Sequence, residues 1–129
     1  NKMVLAPVEE VMPESQYAVT LYGPNFLEKD RDAGRRFMVA YLKAVRQYNE
    51  GKTERNIRAL ASNTRLDPPF LQQVCWPALR SDGQIDVDSV LDFQSWALRK
   101  GLVDEALSEM QFWDPSFVEH AARRLDSGQ

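Results

Sequence analysis

The sequence predicts an α/β fold that is mostly helical, with two N-terminal strands followed by five or six helices. Residues 2–6 (KMVLA) and 16–22 (QYAVTLY) are rich in apolar and β-branched side chains. The second run is almost uninterrupted in this character, as expected of a strand covered on both faces. After Gly23 every patterned stretch has helical spacing. Because two strands alone are marginal in water, we expect this chain to be the C-terminal part of a larger α/β protein whose sheet it does not complete.

The strongest local signal predicts a helix over residues 31–50. Asp30 is placed to accept hydrogen bonds at its N-terminus, and Gly51 is placed to stop it. Its apolar residues recur at intervals of three and four, which predicts one stripe that must pack on another element; they are Ala33, Phe37, Met38, Tyr41, Leu42, Val45 and Tyr48.

The remaining helices are predicted from their start and stop signals. Thr53, Asp67 and Asp86 each stand before a stretch with helical periodicity, and Asp67 is followed by proline, which suits the first helical turn. Gly101 is placed to end the helix that Asp86 begins. Asp114 and the proline after it open a last helix, residues 116–125.

Composition excludes several classes of protein. The 129 residues carry a net charge of −3, so the chain is not built to neutralise phosphates and nucleic acid is not expected as a partner. A single cysteine excludes an internal disulfide and a cysteine-based zinc site. No apolar run approaches about 20 residues, the length of a membrane span. The first ten residues lack the basic and then apolar pattern of a signal peptide.

Few residues suggest chemistry. We predict no catalytic residue, no metal ligand and no cofactor, because His120 has no recognisable partners and Cys75 lies in an apolar helix end, where a buried, inert thiol is expected. The three tryptophans are expected to be mainly core anchors. Glu10 lies in the connector between the predicted strands, where loops of open α/β sheets contact ligands, and its carboxylate could accept hydrogen bonds from an amine or amidine.

An ordered series of short motifs resembles one family. The series begins with residues 17–51 (YAVTLYGPNFLEKDRDAGRRFMVAYLKAVRQYNEG) and extends over roughly residues 3–125. It resembles the substrate-binding proteins of ABC importers, in the group that binds nitrate, sulfonates, taurine and the pyrimidine precursor of thiamine. The later motifs, in order, are Asp67-Pro68, Trp76-Pro77, Asp82-Gly83, VLDFQSW at 90–96, Gly101-Leu102-Val103 and DPSFV at 114–118.

The resemblance implies part of a lobe of the type II periplasmic-binding fold. Residues 1–15 would be the end of the second lobe and a hinge connector, 16–125 a crossing strand with the C-terminal helices of the first lobe, and 126–129 a tail. The whole receptor would capture a small molecule by hinge closure and deliver it to a membrane permease, outside the cytoplasm. Glu10 and Tyr17 would lie nearest the ligand. The unpaired strand edges also predict self-association.

Two other functions stay open at this stage. The chain could be a helical protein-interaction module whose strands pair with a partner protein. It could also belong to an enzyme related to the thiamine-pyrimidine synthases, although Cys75 alone does not provide the cysteine-rich motif of those enzymes. The pattern does not choose among a sulfonate, nitrate, a pyrimidine and an aromatic acid as the ligand.

Overall fold

The computed structural model describes residues 10, 15, 16 and 18–128. Within them the regular secondary structure is entirely helical, with 61% helix and 0% strand. A π-helical turn, Asn25–Lys29, comes first. Six α-helices follow it: α1 Arg31–Tyr48, α2 Glu54–Thr64, α3 Pro68–Gln73, α4 Val87–Arg99, α5 Glu109–Phe112 and α6 Ser116–Asp126.

The predicted α/β fold is therefore wrong for the described residues. Residues 16 and 18–22, which were predicted to form the buried strand, have neither strand nor helix structure. Val19 is 48% exposed and Leu21 is 85% exposed. A strand exists only when a neighbouring strand accepts and donates its backbone hydrogen bonds, and the described part of the chain supplies none. The other predicted strand, residues 2–6, lies outside the described residues.

Helices α1 and α2 begin directly after the capping residues that the sequence analysis identified. The Asp30 carboxylate accepts a hydrogen bond from the Ala33 N–H at 2.8 Å at the start of α1. The Thr53 hydroxyl accepts one from the Asn56 N–H at 3.2 Å at the start of α2. Such local bonds satisfy amide groups that the helix cannot pair internally, and this is why the starts can be found from sequence.

Two compact units can be distinguished, and the core belongs to one of them. This unit contains Gly23–Gly83 and residues 116–128. Its buried apolar side chains come from α1, α2, α3 and α6; they are Met38, Leu42, Val45, Ile57, Leu71, Phe117, Val118 and Ala121. Leu42 and Val118 are the largest fully buried side chains among the described residues.

Helices α1 and α6 run in the same direction and are joined at both ends. Near their starts, the Arg31 guanidinium donates to the Ser116 hydroxyl at 2.9 Å and lies 4.6 Å from the centre of the Phe117 ring. Near their ends, Arg46 is 3.0 Å from the Asp126 carboxylate. These polar contacts flank the apolar seam between the two helices.

The second unit comprises residues 15–16, 18–22 and 84–115. Asp86 caps α4 by accepting the Ser89 N–H at 2.9 Å. The side chain of Gln94, within α4, bonds both the N–H and the carbonyl of Leu107, at 2.8 and 3.0 Å. Among the described residues of this unit, Ala97 is the only buried apolar one. The unit is thus held by caps and polar ties, with little apolar burial of its own.

Candidate functional site

Of the two residues predicted to lie near a ligand, the structure describes only Glu10. Glu10 is exposed to solvent. Tyr17 lies outside the described residues. Their predicted role in binding stays a prediction.

The other residues singled out by the sequence have separate positions. His120 is half-buried on α6. Cys75 is exposed in the segment after α3, so the prediction of a buried cysteine is wrong. The end of α3 explains the difference, because the chain leaves the helix at Val74 in an extended conformation and does not carry Cys75 on the buried face. Trp96 is 41% exposed, and its prediction as a core anchor is also wrong.

A groove with a volume of about 330 Å³ lies between α1 and α2. Its walls are mainly apolar, and Leu79 closes one side. The side chain of Asn49 fixes this wall, because it donates to the Leu79 carbonyl at 2.6 Å and accepts the Leu79 N–H at 3.3 Å. We call this surface the α1–α2 groove; it is lined by Tyr41, Ala44, Val45, Gln47, Tyr48, Asn56, Ala59, Leu60, Asn63 and Leu79.

The polar side chain most deeply placed in the α1–α2 groove is Asn56, at 4% exposure. Its amide nitrogen donates to the carbonyls of Gln47 and Gly51 at 2.7 and 2.8 Å. Its amide oxygen accepts from the Gln47 side chain at 2.9 Å. Both carbonyls also accept a backbone N–H, from Glu50 at 3.1 Å and from Thr53 at 2.9 Å, so Asn56 adds a second bond to each. Asn56 therefore joins α2 to the end of α1 and leaves little hydrogen-bonding capacity for a ligand.

Tyr48 forms the other notable feature of this groove. Its ring stacks on Trp76 with 5.2 Å between ring centres and an angle of 17° between planes. The Trp76 indole N–H donates to the Leu71 carbonyl at 3.0 Å, so the ring is held on its side of the stack. Burial raises the pKa of Tyr48 above its ordinary value of 10.0, and the phenol is neutral at physiological pH. The groove can accept an apolar group, but it presents no nucleophile with an adjacent base.

A second candidate surface is the pair Phe93 and Trp96, which we call the α4 aromatic pair. The two rings stack at 5.4 Å between centres, and Phe93 is 60% exposed. In the same unit Leu102 is 63% exposed and Met110 is 90% exposed. The helical periodicity of residues 87–100 indicated an apolar face, but it could not show that Phe93 and Trp96 on this face are exposed in the described chain.

The described residues contain no group of three or more His, Cys, Asp or Glu side chains placed to hold a metal ion. None of the helices in this part of the chain combines the length and the apolar character that crossing a membrane requires.

Comparison with known proteins finds no matching family model, no matching curated protein and no matching solved structure. The family resemblance therefore depends on the order of the motifs in the sequence.

Proposed function

We propose that this chain is the helical part of a solute-binding receptor that captures a small molecule for an ABC importer. In the proposed receptor a small molecule, such as a sulfonate, nitrate or a pyrimidine, is enclosed by hinge closure between two lobes. A membrane permease then receives it. This chain supplies helices to the receptor, and the apolar side chains that it leaves exposed pack against the rest of the receptor.

The observation that carries the proposal is the apolar surface left uncovered in the unit of residues 15–16, 18–22 and 84–115. A helix such as α4 gains most of its stability by burying an apolar face against another element. Here α4 buries only Ala97, while Phe93 and Trp96 face solvent. Val19 and Leu21 are exposed in the same unit. Apolar surface of this kind is typical of a part that packs against another polypeptide.

The motif series supports the particular assignment to a receptor. The sequence VLDFQSW at 90–96 lies in the body of α4, and Gly101 follows its end. Gly101 has a φ of 67°, and the Leu102 N–H donates to the Ala97 carbonyl at 2.9 Å, which is a glycine-terminated helix end. Two of the motifs that carry the resemblance thus form the body and the end of one helix, α4.

The proposal is tested on the complete protein encoded by the gene that contains this chain. Thermal unfolding is measured with taurine, sodium nitrate and an aminopyrimidine as separate probes. One class of probe should raise the melting temperature, since a ligand at 100 times its Kd adds about 2.7 kcal/mol of stability when it binds only the folded state. No increase with any of the three classes would contradict the receptor assignment.

A second measurement tests the packing separately from the ligand. Phe93→Ala removes a side chain that is mostly exposed in this chain, so it should cost the chain alone less than about 1 kcal/mol. In the complete protein, where we propose that this ring is buried, the same change should cost about 3 kcal/mol or more. Ser95→Ala, at an exposed position of the same helix, is the matched control and should leave the free energy of unfolding of both proteins unchanged. Equal costs of Phe93→Ala in both proteins would exclude packing through the α4 aromatic pair.

The second candidate function is a helical protein-interaction module, favoured by the entirely helical structure of the described residues. The two measurements distinguish it from the receptor. Packing through Phe93 without a response to any ligand would favour the module, whereas a ligand response would favour the receptor.

A further inference from the structure

We propose that the α1–α2 groove binds a neutral aromatic molecule of one or two rings that carries an N–H donor. The groove belongs to the unit of Gly23–Gly83 and residues 116–128, whereas the packing surface that carries the receptor proposal belongs to the other unit. The inference therefore does not depend on the receptor assignment, and either proposal can fail without the other.

Two alanines leave the space that a ligand would fill. On α1, Ala44 lies between Tyr41 and Tyr48 on one face of the helix, and Ala59 lines the groove from α2. The volume of about 330 Å³ is at the lower end of the range for small-molecule sites. A ligand of one or two rings is the size that fits.

The two tyrosines of the lining suit an aromatic ligand. Tyr41 and Tyr48 are seven residues apart on α1, so their positions differ by about 10 Å along the helix axis. A ring midway between them would be about 5 Å from each, a separation at which aromatic rings pair favourably. Each tyrosine ring is already stacked on a neighbour, Tyr41 on Phe37 at 6.4 Å between ring centres and Tyr48 on Trp76 at 5.2 Å. Because these stacks order the rings in advance, binding costs less conformational entropy.

The lining also favours a ligand without charge. Among the described residues that form the groove, none has a charged side chain. A charged ligand would lose water against the apolar walls, and the lining supplies no opposite charge to offset that cost. This groove therefore differs from a site for nitrate or a sulfonate.

The preference for an N–H donor comes from two side-chain amides of the lining. The Gln47 amide nitrogen donates to the Asn56 side-chain oxygen at 2.9 Å, and the Asn63 amide nitrogen donates to the Ala59 carbonyl at 2.8 Å. Within the described residues, the side-chain oxygens of Gln47 and Asn63 accept no hydrogen bond. An amide oxygen can only accept, so a ligand gains a hydrogen bond here by donating one.

The test is a titration of the isotope-labelled chain with indole, followed by nuclear magnetic resonance. Indole is neutral, has two fused rings and carries an N–H group. The amide resonances of Ala44 and Ala59 should shift with a Kd below about 1 mM. Benzofuran has the same shape with an oxygen in place of the N–H group. Its Kd should be higher by about fivefold or more, because it cannot make the hydrogen bond.

Three variants test the position of the ligand. Ala44→Leu should raise the Kd of indole at least about tenfold, because the larger side chain occupies the ligand's volume. Ala40→Leu is the matched control, since Ala40 is also exposed on α1 but does not line the groove, and it should leave this Kd unchanged. Circular dichroism should show unchanged helix content in both, because alanine and leucine are both good helix formers. Asn63→Ala should narrow the difference between indole and benzofuran without changing the Kd of benzofuran.

Three results would each overturn the proposal. The first is that indole at about millimolar concentration leaves the Ala44 and Ala59 resonances unshifted. The second is an equal Kd for indole and benzofuran. The third is an equal Kd for indole in Ala44→Leu and Ala40→Leu, which would place the bound molecule outside the groove.

Discussion

Replacing Asn56 should show how much its hydrogen bonds stabilise the contact between α2 and the end of α1. Asn56→Ala removes hydrogen bonds of 2.7 Å to the Gln47 carbonyl, 2.8 Å to the Gly51 carbonyl and 2.9 Å from the Gln47 side chain. A hydrogen bond contributes about 1 kcal/mol net, and the side chain is 4% exposed, so water cannot easily replace it. Three such bonds give a loss of about 3 kcal/mol in the free energy of unfolding. For a domain of this size that is a fall of about 10 °C or more in melting temperature.

The assay is urea and thermal unfolding followed by circular dichroism at neutral pH. Asn63→Ala is the matched control, because the Asn63 side chain is exposed and its amide nitrogen donates within its own helix, to the Ala59 carbonyl at 2.8 Å. It should cost less than about 0.5 kcal/mol, as surface substitutions usually do. A loss below about 1 kcal/mol for Asn56→Ala, or equal losses for the two variants, would refute the view that Asn56 holds α2 to the end of α1.

Two further predictions concern Gly83 and Tyr48, which lie in the same unit as Asn56. Gly83→Ala should lower the free energy of unfolding by about 2–4 kcal/mol, because φ is +70° and the new Cβ would lie 2.5 Å from the buried Leu42 side chain. The control is Gly51→Ala, at φ +84° with nothing within 4 Å of its Cβ, which should cost only about 1 kcal/mol in urea unfolding; equal losses for the two variants would contradict the steric explanation. Burial raises the pKa of Tyr48 and of Tyr22 in the folded chain above 10.0, so the unfolded chain ionises first: the stabilisation is complete below pH 10 and is lost as pH rises through the folded pKa. Tyr48→Phe should therefore make the decline in urea midpoint between about pH 9 and 11 shallower without removing it, and an unchanged decline would show that Tyr48 does not contribute.

The helices could be predicted because their signals are local. Asp30, Thr53 and Asp86 each bond an amide group three residues further along the chain. Such a contact is set by neighbouring residues and needs nothing from the rest of the protein. The bounds of α1 and α4 accordingly agree with the sequence prediction within two residues.

The strand prediction failed because pairing depends on distant residues. The apolar and β-branched character of residues 18–22 describes what the segment prefers once a partner is present, but it does not provide the partner. The described chain leaves Val19 and Leu21 in solvent.

The candidate site was equally hidden from sequence reasoning. Asparagine is not a typical core residue, and nothing near Asn56 in sequence shows that it will meet the end of α1. The α1–α2 groove arises from tertiary packing alone. The exposure of the α4 aromatic pair is also a property of the folded chain, whereas the periodicity that predicted an apolar face is a property of the sequence.

The parallel seam between α1 and α6 constrains the order of folding. Phe117, Val118 and Ala121 supply part of the core around Leu42, yet they lie more than half the chain away from it. Contacts so far apart in sequence form slowly, because the intervening chain must lose conformational entropy before packing between α1 and α6 stabilises the fold. During synthesis, the apolar stripe of α1 would thus stay exposed until α6 had emerged from the ribosome. Nascent chains stalled before Phe117 should be the ones that chaperones retain.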